Sequence, residues 1–317
     1  MSQTCGRRSR GWGSRTPETI TNVTAHIADT EHLLQIAAQI AGVDTDGATI
    51  IRDGSHAMYR LPHGVVARIG RPGTLETAER EVELSDWLAS CGITVTQTIG
   101  RLPQAVVVDN RPVTWWRLLP DHRAATPAEL GSVLRALHGL PVPQQPRLPA
   151  ADPFAGMEQR LAEPADISTA DRAWLGEHLS ALRDRYQELR FDTEKHVIHG
   201  DAWQGNVAVS ATGTLILLDL EHVAVGPADW DLIPMAVDYT DFARLDRDDY
   251  RSFVEAYGGH DVTASSNFRT LADIQELRWV CFVISKSRSS VRAKSEVGHR
   301  IACLRGEIPR PWSWTAF

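Results

Sequence analysis

The stretch His196–Asp231, HVIHGDAWQGNVAVSATGTLILLDLEHVAVGPADWD, decides how the rest of the chain is read. His196–Ile198 reads as a short strand, and His199-Gly200-Asp201 as the turn that leaves it. Val207–Val209 and Leu215–Leu218 follow as a hairpin, closed across Ala211-Thr212-Gly213. Asp201, Asn206 and Asp219 then fall at strand ends and turns, which brings their side chains beside one another. A magnesium-phosphate site needs acidic and amide oxygens in such an arrangement.

The spacing carries further information. Asp201 is followed after five residues by Asn206, and after thirteen more by Asp219. A kinase catalytic loop orders its groups in this way: an Asp that accepts the substrate's hydroxyl proton, a metal-binding Asn, then a metal-binding Asp beyond a hairpin. Gly200 replaces the Arg of the protein-kinase loop, and Asp219-Leu220-Glu221 replaces its Asp-Phe-Gly. Neither a G-x-G-x-x-G loop nor an A-P-E segment is present, which argues against a protein kinase. The sequence also has no G-x-x-x-x-G-K-[ST] string, which sets aside P-loop chemistry. A surface hairpin with solvated carboxylates is the plainer reading, but it gives no reason for three residues at kinase spacing.

HGDAWQGN followed by LILLDLEH closely resembles the aminoglycoside phosphotransferase family of antibiotic and small-molecule kinases. The resemblance extends over most of the chain, with its specific part in His199–Asp231. It implies an α+β, bilobal protein-kinase-like fold, with a small β-rich N-lobe around an antiparallel sheet and a mainly helical C-lobe. It also implies ATP and Mg2+ as cofactors. Asp201 matches the family's catalytic Asp, and His199 the first residue of its catalytic loop. Asn206 and Asp219 match its two magnesium ligands. Asp231 resembles the Asp that opens a large-lobe helix and braces the loop.

Upstream, a helix is expected at about Glu31–Ala41, capped by Thr30 and stopped by Gly42. Strands near Ala48–Arg52, Ala57–Leu61 and Val65–Ile69, separated by Asp53-Gly54-Ser55 and Pro62-His63-Gly64, read as an antiparallel meander. A helix over Leu75–Leu88 and strands near Ala105–Val108 and Val113–Leu118 complete a small α+β lobe. Kinases place a phosphate-binding Lys on the third strand and pair it with a Glu on the next helix. Here the matching residues are Arg68 and Glu81, with Glu79 as the other partner within reach; both Arg68 and Glu81 are expected at the nucleotide. Ser55 sits where the family's nucleotide-covering turn would lie. Strand alternation puts Trp115 and Trp116 on opposite faces, so one can line the adenine pocket while the other packs. Adenine itself would be read by backbone groups around Arg117–Leu119.

Past Pro120 the pattern becomes helical. Thr126-Pro127-Ala128-Glu129 is a capping box with Pro at the first helical position, and a second helix is expected over about Arg172–Leu189. The expected organisation is a disordered leader (1–17), a nucleotide-binding lobe (18–119) and a catalytic and substrate lobe (120–317).

The whole chain fits this outline. Its 317 residues suit two lobes, and a net charge of −7 argues against a nucleic-acid binder. Cys5, Cys91, Cys281 and Cys303 have no metal-ligand spacing, so a reducing cytoplasm is the expected setting. No apolar run suits a membrane span. The expected reaction moves the γ-phosphoryl group of ATP to a hydroxyl of a small molecule, either an aminoglycoside-like antibiotic or a related compound. Seven Asp residues in Asp229–Asp249 could attract a polycation or form a solvated helical face. A metabolic kinase for a sugar or amino alcohol, and a nucleotide-binding pseudokinase, stand as alternatives. Trp312 and Trp314 are expected to pack on the large lobe.

Overall fold

The structure is a computed structural model that describes residues 17–53, 56–163, 165–191, 194–288 and 290–316, with side chains from residue 29 onward. Ser55 and nearly all of the expected leader therefore lie outside the described residues.

The chain opens with α1 (Pro17–Ala41), which starts well before the expected Glu31 and ends at Gly42, where φ is +67°. Thr30 is consequently an interior position and not a cap. It is fully buried, and its hydroxyl lies 2.6 Å from the Tyr59 hydroxyl. Leu33, Leu34, Ala37 and Ala38 recur with helical period and bury one face of α1. That face packs on a five-stranded antiparallel sheet of order β1-β2-β3-β5-β4: β1 (Thr49–Asp53), β2 (Ala57–Leu61), β3 (Val65–Ile69), β4 (Val106–Val108) and β5 (Arg111–Arg117). Asp109 and Asn110 both take positive φ, as the tight β4–β5 turn requires. Register pairs Arg68 with Met58 and Thr114, which fixes its height on the sheet.

Between β3 and β4 lies α2 (Leu75–Ser90). Its Leu84 and Leu88 join the larger of two hydrophobic clusters, and Glu81 on the same helix is buried near the sheet. Past β6 (His122–Ala124), whose three residues are exposed, the larger cluster is otherwise built from α3 (Pro127–His138), α4 (Met157–Ala162), α5 (Thr169–Gln187), β7 (His196–Ile198), β8 (Val207–Ser210), β9 (Leu215–Leu217), β10 (Ala224–Gly226), α6 (Asp229–Thr240), α7 (Arg247–Tyr257), α8 (Phe268–Ile284) and α9 (Val291–Leu304), with their connections. The expected capping box is formed at the start of α3, where Thr126 and Glu129 satisfy each other's backbone N–H groups. Two small sheets carry the site: β6-β8-β9, and β7 paired with β10. Trp312 and Trp314 stack on each other and pack edge-on against Phe242. No helix of the described residues is long and apolar enough to cross a membrane.

Candidate active site

The catalytic loop is shaped by what lies beneath it. β7 ends at Ile198, and Gly200 turns the chain with φ +78°. A Cβ at Gly200 would come within 2.3 Å of the His222 carbonyl oxygen, so a side chain there has no room. Under the turn sits Asp231, in the first turn of α6 and 1% exposed. Its Oδ2 accepts from His199 N–H at 2.6 Å and from His138 Nε2 at 3.0 Å, and its Oδ1 accepts from Gly200 N–H at 2.8 Å. Burial works to raise the Asp231 pKa, but these hydrogen bonds and the neighbouring histidines hold it below its ordinary value.

His199 is locked at both ring nitrogens. Nε2 lies 2.8 Å from the Leu218 carbonyl, which can only accept, so Nε2 carries the proton and Nδ1 accepts from Asp201 N–H at 3.3 Å. The ring therefore ties the loop to the end of β9. Asn206 Nδ2 donates to the Asp201 carbonyl at 2.8 Å and lies 3.4 Å from the Asp201 carboxylate. This fixes the Asn206 amide and leaves its oxygen for another partner. Asp219 follows β9 in a left-handed conformation (φ +55°), and its side chain is 39% exposed to the cleft.

Across the cleft stands Arg68 on β3. Its Nη1 donates to Glu81 Oε1 at 2.7 Å, while Nη2 lies 3.7 Å from Asp219, 3.8 Å from Glu221 and 3.2 Å from His56 Nδ1. Glu81, and not the exposed Glu79, is the partner. Burial pushes the Glu81 carboxyl up to about 7 against the opposing pull of Arg68. Burial, then the charge of Arg68, drives His56 down to about 3, so its 3.9 Å approach to Glu221 is not an ion pair. His56, Arg68, Glu81, Asn206 and Asp219 line a cleft of about 290 Å3, whose other walls include Met58, Val66, Trp116 and Leu119. Trp116 faces this cleft, whereas Trp115 is fully buried in the sheet core. Arg117 N–H is taken by Gln97 and Leu118 N–H by Gly64, while Leu119 N–H has no backbone partner among the described residues.

The structure thus brings Asp201, His199, Asn206 and Asp219 together, and sets Arg68 with Glu81 opposite. Sequence reasoning missed His56 and His138. The first follows Ser55 without any motif. The second is an ordinary residue of an amphipathic helix, whose role depends on meeting Asp231, 93 positions away. Much of the acidic run Asp229–Asp249 is engaged, although Asp246, Asp248 and Asp249 remain exposed. Asp229 bonds His260, Asp238 pairs with Arg244, Asp241 with Arg269 and Arg310, and Asp248 with Arg251, while Asp246 caps α7.

An apolar-walled cleft between a sheet and a mainly helical body, with an Asp/Asn/Asp set on one side and a buried Arg–Glu pair on the other, defines a phosphoryl-transfer enzyme of kinase-like fold. The chain belongs to the phosphotransferase enzyme family (APH), whose profile matches residues 47–269. No curated protein matches the sequence. Among solved structures, the amicoumacin kinase hAmiN in complex with AMP-PNP, Ca2+ and Ami superposes with a TM-score of 0.69 at 15% identity, covering 89% of this chain and 94% of that one. The microcompartment-associated aminopropanol kinase gives 0.62 at 18% identity, covering 86% and 96%. The aminoglycoside phosphotransferase APH(3'')-Id from Streptomyces rimosus gives 0.61 at 18% identity, covering 78% and 98%. At these identities the likeness is one of fold.

Proposed function

We propose that the protein is an ATP- and magnesium-dependent kinase that transfers the γ-phosphoryl group to a hydroxyl of a small molecule. The observation that carries this reading is the meeting of Asn206 and Asp219 on one rim of a cleft whose other rim holds the Arg68–Glu81 pair, with Asp201 beside them, hydrogen-bonded to Asn206. Among the described residues, no three His, Cys, Asp or Glu side chains gather as a ready-made metal cage. One carboxylate and one oriented amide oxygen suit Mg2+, which takes few protein ligands and completes its shell with phosphate oxygens and water. Asp219 and Asn206 are the residues to hold it. Bound ATP would supply the phosphoryl group, and magnesium would neutralise charge on its phosphates.

The residues divide the remaining work. Arg68 is held by Glu81 so that its second nitrogen projects toward Asp219, where it can meet nucleotide phosphate. Trp116 and the hinge segment provide the flat wall and the backbone polar groups that a purine requires. Asp201 orients the acceptor hydroxyl. As the new O–P bond forms and the bond from the γ-phosphorus to its bridging oxygen breaks, Asp201 takes the hydroxyl proton and ADP leaves. A hydroxyl is barely acidic, so placement contributes more than basicity. His199 acts as a positioning residue, because both its nitrogens are engaged with backbone.

Magnesium-dependent ADP release across aminoglycosides, sugars and amino alcohols tests the reading, with Asp201→Ala alongside. The expected result is an acceptor-dependent signal that vanishes in the variant while nucleotide binding persists. Full activity in Asp201→Ala would sink the mechanism. Nucleotide binding without turnover in the wild type would favour the pseudokinase alternative.

A further inference from the structure

A second cavity of about 220 Å3 opens beside the Gly200 turn and is lined by Arg80, Asp152, Glu221, Trp230 and Arg278 among others. It shares no lining residue with the nucleotide cleft. Yet Gly200 directly precedes Asp201, and Glu221 lies two residues beyond Asp219, so the cavity abuts the catalytic loop from its other side.

Two guanidinium groups in this wall lack the partners that such groups require. Arg278 on α8 makes no hydrogen bond or ion pair among the described residues; its guanidinium lies over the Trp230 ring, 5.8 Å from the centroid. Arg80 on α2 reaches the Glu221 carbonyl only at 3.5 Å, and its Nε is buried with no partner. Leaving a charged donor desolvated and unpaired is costly, and guanidinium forks match carboxylate and phosphate oxygens. Asp152 acts on Arg278 by its charge, but no acid of the wall forms an ion pair with either arginine among the described residues. Glu221 is drawn 3.8 Å from Arg68, and an Asp152 oxygen accepts from Phe154 N–H at 2.9 Å. Burial lowers the Arg278 pKa, and the charge of Asp201 opposes that fall, which places this guanidinium in electrostatic reach of the catalytic carboxylate.

We propose that the acceptor alcohol carries an anionic group, a carboxylate or a phosphate ester, held by Arg278 and Arg80 in this cavity so that its hydroxyl reaches Asp201. The proposal rests on the kinase reading and narrows it. A polycationic acceptor would meet two arginines without ion-pair partners here, and Asp229, Asp238 and Asp241 of the acidic run are already bonded to His260 and arginines.

Matched acceptors test it: glycerol, glycerate, glycerol 3-phosphate and 3-amino-1,2-propanediol, then glucose, gluconate, glucose 6-phosphate and kanamycin. ADP release is followed with magnesium-ATP, and equilibrium binding is followed in the presence of AMP-PNP. The anionic members should bind and react best, with the carboxylate and phosphate arms showing which anion is preferred. Arg278→Gln should raise KM for the preferred anion about 30-fold or more, change the KM of its neutral analogue far less, and erase the preference; Arg278→Lys should restore part of it. Better use of the neutral or cationic members, anions that bind no better than their neutral analogues, or an anion preference that survives Arg278→Gln in a folded protein would each overturn the proposal. Failure of the wild-type protein to bind AMP-PNP would instead remove the kinase reading itself.

Discussion

Arg68 shows how much one side chain can hold together. Its fork spans Glu81 on one nitrogen and the approach to Asp219 and Glu221 on the other. A lysine has one head group and cannot reproduce both contacts, though it can keep the shorter one. Arg68→Lys is therefore expected to stay active, whereas Arg68→Ala strands a buried carboxylate and should lower kcat/KM for ATP by about tenfold or more. Steady-state kinetics at varied ATP separates these cases. Glu81 adds a pH signature. Its folded pKa is raised from 4.5 to about 7, so from 4.5 to 7 the folded chain keeps a proton that the unfolded chain has lost. The stability this proton contributes is complete below 4.5 and is lost as pH rises through 7. The ion pair with Arg68 needs the ionised carboxylate, so nucleotide affinity should climb through the same window. Glu81→Gln should flatten that climb; an unchanged profile would assign it to another group.

At the scale of elements, the catalytic loop is set by the helix beneath it. Asp231→Ala leaves His199 N–H, Gly200 N–H and His138 Nε2 without their acceptor in a buried place, and should destabilise the fold by about 3–5 kcal/mol in denaturant unfolding. Gly200→Ala should prove nearly as damaging, since its Cβ would meet the His222 carbonyl and its φ is positive. Local pattern made much of this layer legible. Alternating residues bounded by Pro, Gly and Asp located β2 and β3, the capping box located α3, and the Asp201–Asn206–Asp219 spacing pointed to residues that the fold does bring close together. What escaped depends on distant contacts or on competing local signals. Thr30 has the chemistry of a cap, but a helix begun at Pro17 runs through it and its hydroxyl finds Tyr59 on the sheet. Arg278 stands among apolar residues of α8, and nothing in that stretch tells that it opens onto a cavity beside Gly200.

Across the whole molecule, the smaller hydrophobic cluster joins α1 to one face of the five-stranded sheet, while the cleft lined by Val66, Arg68 and Trp116 opens on the other, and α2 contributes Glu81 to that cleft and Leu84 and Leu88 to the larger cluster. A ligand that bridges the two rims stabilises the folded chain by about 2.7 kcal/mol when present at 100 times its Kd. Magnesium with AMP-PNP should accordingly raise Tm by several degrees, and Asp219→Ala should shrink the shift; an equal shift in that variant would remove Asp219 from the metal site. The bracing of the loop by Asp231 also has a consequence in time. Active-site turns usually exchange their amide hydrogens with solvent quickly, through small local openings. The His199 and Gly200 amides can exchange only when a buried carboxylate releases both, so in deuterium-exchange experiments this turn should age with the slowest core strands.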